Sequence, residues 1–210
     1  MIRGYRLWKA HPLTEALRYG RAMRLPAVLA VTLAVLVVSG CGSPDPVVVP
    51  EPESTSTPLF ASDEEALAAA EEAYAAYLAV VDQIFADGGI NPERLLAVAT
   101  ESVYENERPG FDNYQELGKT GVGRTSFDSM VLQNADLSGF AVTEAVTVYV
   151  CEDFSQIDVL DSAGTSVLSA GRQVRWPVEV SFDVSEQAAA TLVVSNVEQW
   201  TGDDFCELSQ

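Results

Sequence analysis

The hydrophobic period of this chain changes once, and that change constrains the fold more than any other feature. From Ser62 to Leu117 apolar residues recur at helical spacing; beyond Gly123 they recur every second residue. Ser62 is placed to cap a first helix, Glu65 to complete a capping box, and Asp63 and Glu64 suit the positive end of the helix dipole. Leu67, Ala70, Tyr74, Tyr77 or Leu78, Val81 and Phe85 form its core-facing side, and Gly88-Gly89 stops it. Asn91-Pro92-Glu93 starts a second helix, with Asn91 as cap and Pro92 in the first turn, carrying Leu95, Leu96 and Val98. Pro109-Gly110 interrupts, and Phe111 to Leu117 reads as a short third helix.

In "QVRWPVEVSFDV", Val174, Trp176, Val178, Val180, Phe182 and Val184 face one way, and Gln173, Arg175, Glu179, Ser181 and Asp183 the other. That alternation is a half-buried strand, and Pro177 places it at an edge or a bulge. Val142 to Asp153 reads as another strand. Asp161-Ser162-Ala163-Gly164 reads as a hairpin turn between strands near Ile157 to Leu160 and Thr165 to Ser169, and Ala190 to Trp200 closes the series. Helices followed by a run of antiparallel strands predict an α+β fold, with the N-terminal helices packed on one sheet face.

Ahead of this domain, "LAVTLAVLVVSGCGSPDPVVVP" turns from apolar to polar at Cys41. Arg21 and Arg24 precede an apolar run from Leu25 to Val38, too short for a span that needs about 20 residues. Positive charge, a short apolar core and small residues at its end make a secretory signal. Val38-Ser39-Gly40-Cys41 resembles the bacterial lipobox, which implies that the Cys41 thiol carries diacylglycerol and that the mature chain starts there. Starting at Met23 gives a leader of ordinary proportions, so translation is expected to begin there. Pro44, Pro46, Pro50, Pro52 and Pro58 then favour an extended stalk, at about 3.1 Å per residue. The expected organisation is residues 1–40 as signal peptide, 41–61 as lipidated cysteine and proline-rich linker, and 62–210 as one α+β domain. The expected location is the extracytoplasmic side of the cell membrane, held by the lipid.

From Cys41 onward there are six Lys and Arg against thirty Asp and Glu, a net of −24. Such a surface repels nucleic acid and anionic headgroups alike. The one histidine, His11, lies in the leader. Without another, neither a His-activated nucleophile nor a His-ligated metal is available to the domain.

The order of elements resembles the nuclear transport factor 2-like superfamily, whose cone-shaped sheet wraps a long first helix. The likeness is closest to small actinobacterial lipoproteins of that group, with a strand ending in Cys and a following hairpin, here "VYVCEDFSQIDVLDSAGTSV" from Val148 to Val167. They also carry a late Trp before a second Cys, here "WTGDDFC" from Trp200 to Cys206. The resemblance implies a strongly curved antiparallel sheet. It also brings in two enzyme types, an isomerase using Asp with Tyr and an epoxide hydrolase using Asp-Arg-Asp. Asp128, Tyr149, Asp153, Arg124 and Arg175 supply those residue types here.

Other motifs are weaker. "GKT" at Gly118 to Thr120 lacks the first glycine of a phosphate loop, since Asn113 stands there, and reads as a turn into the first strand. Lys119 has Glu116 three residues before it, not serine. Asp203, Asp204 and Glu207 read as a solvated acidic end rather than a cation site. Once Cys41 is acylated, Cys151 and Cys206 remain in an oxidising compartment, and an even count there favours a disulfide tying the C-terminus to the sheet. The expectation is a binding or scaffold lipoprotein with no catalytic residues, cofactor or metal. Its partners would be the membrane through the lipid, and a basic envelope protein or small apolar ligand, not nucleic acid. The rival is a small pocket enzyme using carboxylate and Tyr acid-base chemistry.

Overall fold

The computed structural model describes residues 58–139, 143–188 and 191–207. The expectations for the leader, for Cys41 and for the linker up to Thr57 lie outside the described residues, as does the start of the strand drawn from Val142.

The first helix, α1, runs Asp63–Ala86. The Glu65 N–H donates to Ser62 Oγ at 3.3 Å. The Glu65 carboxylate returns the bond one residue early, to the Ala61 N–H at 2.7 Å. Ala66, Ala70, Tyr74, Tyr77, Leu78, Ile84 and Phe85 are buried along one side. The chain then turns through Gly88 and Gly89, both at positive φ. A Cβ on Gly89 would stand 2.2 Å from the Phe111 carbonyl oxygen, so only glycine lets the next helix pass this close.

The second and third expected helices are divided differently. Asn91 adopts φ 53 and makes no side-chain cap, and it leads into a short 3-10 helix, Pro92–Ala97. That helix buries Leu95 but leaves Leu96 exposed. The second α-helix, α2, is continuous over Glu101–Leu117 with Pro109 inside it. Pro109 sits on the water side of the helix, where the carbonyl its ring leaves unbonded can be hydrated. Val103, Phe111 and Tyr114 bury the opposite side on both flanks of the proline, and that burial carries the helix through.

Among the described residues, six strands come after the helices: β1 (Thr120–Val122), β2 (Ser126–Ala135), β3 (Val146–Asp153), β4 (Asp158–Leu160), β5 (Arg175–Val184) and β6 (Leu192–Gln199). Four make an antiparallel sheet in the order β2-β3-β5-β6, which is not closed; β1 and β4 pair separately. The Asp161–Gly164 turn forms as expected, with Asp161 Oδ1 accepting from the N–H groups of Ala163 and Thr165, each at 2.9 Å. The strand expected after it reduces to one bridge, Leu160 to Ser166.

Register sorts the side chains into two faces. Val148, Val180 and Val197 stand in one row, and Val146, Phe182 and Val194 in another; all are buried. The alternate rows hold Thr147, Ser181 and Asn196, then Tyr149, Glu179 and Glu198. The apolar rows form the inner face, packed on the helices. Pro177 is not in an edge strand, since β5 has neighbours on both sides. It lies level with the end of β6, whose last pair is Gln199 with Val178, and its carbonyl accepts from the Trp200 N–H at 2.9 Å. The missing N–H therefore points where the ladder has already finished. Bulges after Asp128 and Leu132 interrupt the β2–β3 register, and Ser129 takes φ 55 there, which bends the strand.

Candidate functional site

Three of the five residues considered for carboxylate chemistry come together. Arg175 donates from Nη1 and Nη2 to both oxygens of Asp128, at 2.9 and 2.8 Å, and from Nη1 to Asp153 Oδ2 at 3.2 Å. The hydrogen bond from Arg175 holds the Asp128 carboxyl below its usual range. Burial pushes Asp153 up, but hydrogen bonds from Ser155 and Arg175 more than offset it, and the net direction is down. Arg175 is held above its ordinary value by Asp128 in turn. Carboxylates kept ionised against a guanidinium are poor bases and poor acids near neutrality.

Their place matters as much as their chemistry. Asp128 is level with Cys151, and Asp153 with Arg175, so all three project from the outer face, away from the helices. The trio is a strut linking β2, β3 and β5, not the lining of an interior pocket. Tyr149 lies further along that face, its ring centroid 4.6 Å from Trp200 and 6.0 Å from Phe205. Desolvation, then a hydrogen bond with Glu179, raises its phenol above the ordinary value.

Cys151 and Cys206 are bonded, with Cα atoms 5.5 Å apart, and both are buried. The bridge fastens the segment after β6 onto the outer face, and the Cys206 N–H is held by Asp204 Oδ1 at 2.9 Å. Gly118 caps α2 in the left-handed conformation and leads through Lys119 into β1. Among the described residues, no three His, Cys, Asp or Glu side chains gather to hold a metal, and no helix is long and apolar enough to cross a membrane.

Sequence reasoning missed one pair. Tyr74 donates its hydroxyl proton to Glu152 Oε1 at 2.6 Å, and both residues are buried. The signal was present: Glu152 falls on the same alternate positions as Val148 and Val150, so a carboxylate stands at an inward position of β3. Phe127 packs edge-on to Tyr74 at 5.2 Å, Phe182 at 6.4 Å, and Tyr77 stacks on it at 5.8 Å. A buried carboxylate beside a tyrosine is a proton-transfer pair in kind, but this ring of aromatics closes it off from solvent.

An open groove lies on the other side of Phe127. It holds about 540 Å³ between α1, at Ala75, Leu78 and Ala79, and the stretch Gly123 to Phe127. Asp82 on α1 fixes that stretch, accepting from the Thr125 N–H and Oγ1–H, both at 2.7 Å. Gly123 takes φ 101, and a Cβ there would stand 1.9 Å from the Gln156 carbonyl oxygen. The loop is thus pinned from two sides.

No known protein family, curated protein or solved structure matches the chain.

Proposed function

We propose that this chain is an envelope lipoprotein, anchored through Cys41 on the extracytoplasmic side of the membrane. Its domain, of the nuclear transport factor 2-like cone type, works by binding and not by turnover. The observation that carries the reading is the filled space between helices and sheet. Tyr74, Tyr77, Leu95, Phe111 and Phe182 occupy it and are buried. A domain whose interior is packed with side chains in this way meets its partner on its surface. That surface is acidic because thirty acids stand against six bases after Cys41, and most of those bases already bond within the domain. Arg94 pairs with Asp87, Arg108 with Glu105, and Arg175 with Asp128 and Asp153. Arg172 donates to the carbonyls of Phe154 and Ile157. A basic envelope protein is the partner that such a surface attracts, and the field would speed their encounter.

Crosslinking in intact cells at low and at high salt tests the binding reading. Capture of a basic protein that weakens with salt is expected, because exposed charges are screened within about 8 Å at physiological ionic strength. Capture indifferent to salt would remove the acidic surface from the account. Metabolic labelling with a palmitate analogue tests the anchor: Cys41→Ala should lose the label, and equal labelling would refute it. The rival reading, an enzyme, would have to use Tyr74 and Glu152. Glu152→Gln in a folded variant should leave binding unchanged if the pair is structural.

A further inference from the structure

The free edge of the sheet and the groove beside α1 meet at one place. β2 ends the sheet, and among the described residues no strand pairs with its side away from β3. From Ser126 to Asp128 its register with β3 is regular, and the first bulge comes only after Asp128. This short regular stretch borders the groove, with Leu78 and Phe127 in the lining. The opposite edge of the sheet is covered at Val194. There Val194 donates to the Val98 carbonyl at 3.0 Å and accepts from the Thr100 N–H at 2.9 Å.

A groove with a helix on one side and an open strand edge on the other takes an extended peptide. The peptide main chain adds to the edge, and alternate side chains enter the groove. The available space falls inside the range of about 300–1,000 Å³ usual for specific clefts.

Charge says which part of a peptide belongs there. Of the six Lys and Arg after Cys41, five bond to neighbours within the domain, Lys119 reaching Asn113 Oδ1 at 3.4 Å. Arg124, exposed where the groove begins, has no ion pair or side-chain hydrogen bond among the described residues. It is an uncommitted cation on an otherwise acidic domain, at a groove where Leu78, Ala79 and Phe127 alternate with the polar Gln83 and with Asp82, whose carboxylate is already taken up by Thr125. One negative charge is welcome at that point, and further ones are repelled by the rest of the surface. Arg124 precedes β2, so a carboxylate held there sets the peptide antiparallel to the strand. The loop carrying Arg124 is fixed by Asp82 and by Gly123, so little ordering remains to be done on binding.

We infer that this groove binds the carboxy-terminal end of an extended peptide without further acidic side chains, added as a strand to β2, with its terminal carboxylate on Arg124. The site goes beyond the function proposed above and uses a different surface from the acidic one.

The probe is a fluorescent hexapeptide of alternating Val and Ala with a free terminal carboxylate; its twin is amidated. Anisotropy is measured with the full chain in detergent. The acid should bind about fivefold tighter than the amide, near the upper end of what an exposed ion pair supplies. Arg124→Gln should erase that difference while leaving amide binding as it was. Ala79→Trp, at an exposed position of α1, should block both peptides. Equal binding of acid and amide to the native chain would overturn the proposal. So would an acid preference that survives Arg124→Gln, or no saturable binding of either peptide. Circular dichroism separates blocking from unfolding in Ala79→Trp, and the Arg124→Gln comparison decides the matter even if that variant misfolds. Salt-sensitive capture by the acidic surface is read separately, so either idea can fail without the other.

Discussion

Removing the Cys151–Cys206 bridge should be the most damaging change that leaves the inner core untouched. The two cysteines are separated by 55 residues. Closing a loop of that size in the unfolded chain costs about 4 kcal/mol in conformational entropy, and this is the stability that the bridge contributes. Both cysteines are buried, so Cys151→Ala with Cys206→Ala also loses packing, adding about 1 kcal/mol. Against a typical stability of 5–15 kcal/mol for a domain, the sum is a large fraction. At roughly 3 °C per kcal/mol for a chain of this size, the melting temperature should fall by on the order of 15 °C. Urea unfolding of the native chain, the native chain in reductant and the double variant would measure it. The last two should agree within about 1 kcal/mol, and both should lie well below the first. Denatured but unreduced protein should show no alkylatable thiol at either position. A double variant within 1 kcal/mol of the native chain, or a reductant without effect, would refute the reasoning.

Tyr74→Phe leaves a buried carboxylate short of a donor and should cost about 2 kcal/mol in a urea titration. Adding Glu152→Leu should cost less than the two single changes summed, and strict additivity would show the pair to be uncoupled. Asp128 and Asp153 have folded pKa values below the ordinary 3.8, so their contribution is present above that value and lost as pH falls beneath it. Arg175→Met should therefore flatten stability between pH 5 and pH 3 by about 1 kcal/mol, a modest amount because Asp128 is half exposed; parallel pH profiles for native and variant chains would count against the strut. Gly123→Ala needs a positive φ and meets the Gln156 carbonyl, so it should cost about 3 kcal/mol, with a shift below 1 kcal/mol as the contrary result.

Much of the architecture was legible because it depends on local periodicity. The cap at Ser62, the core stripe through Tyr74, the stop at Gly88 and the alternation along β5 are each set within a few residues. So is the Asp161–Gly164 turn, whose bonds all close within five residues. Where local rules misled, burial elsewhere outweighed them. Pro109 is a helix breaker by local rules, yet Phe111 and Tyr114 bury beyond it and the helix continues. Pro177 reads as an edge or bulge residue, yet it occupies an inner strand in regular register with β3, because β6 ends beside it. β2, which the sequence reading did not single out, lies at the sheet edge and has no fully buried residue, so burial imposes no strong alternation along it.

The sites divide along the same line. Pairing of Cys151 with Cys206 followed from the count of cysteines and the expected compartment, since two thiols have only one way to pair. The sequence by itself also determined the acid excess and the absence of histidine beyond His11, which are properties of composition alone. It could not determine which carboxylates meet which bases. Asp128 is 47 residues from Arg175, and Tyr74 is 78 from Glu152. Only the strand register and the seating of α1 on the inner face bring such residues together. Those two choices put Glu152 inside and the Asp128–Arg175–Asp153 strut outside. Side-chain direction alternates along a strand, so adjacent residues such as Glu152 and Asp153 are sent to opposite faces, and tertiary packing alone decides which face is buried.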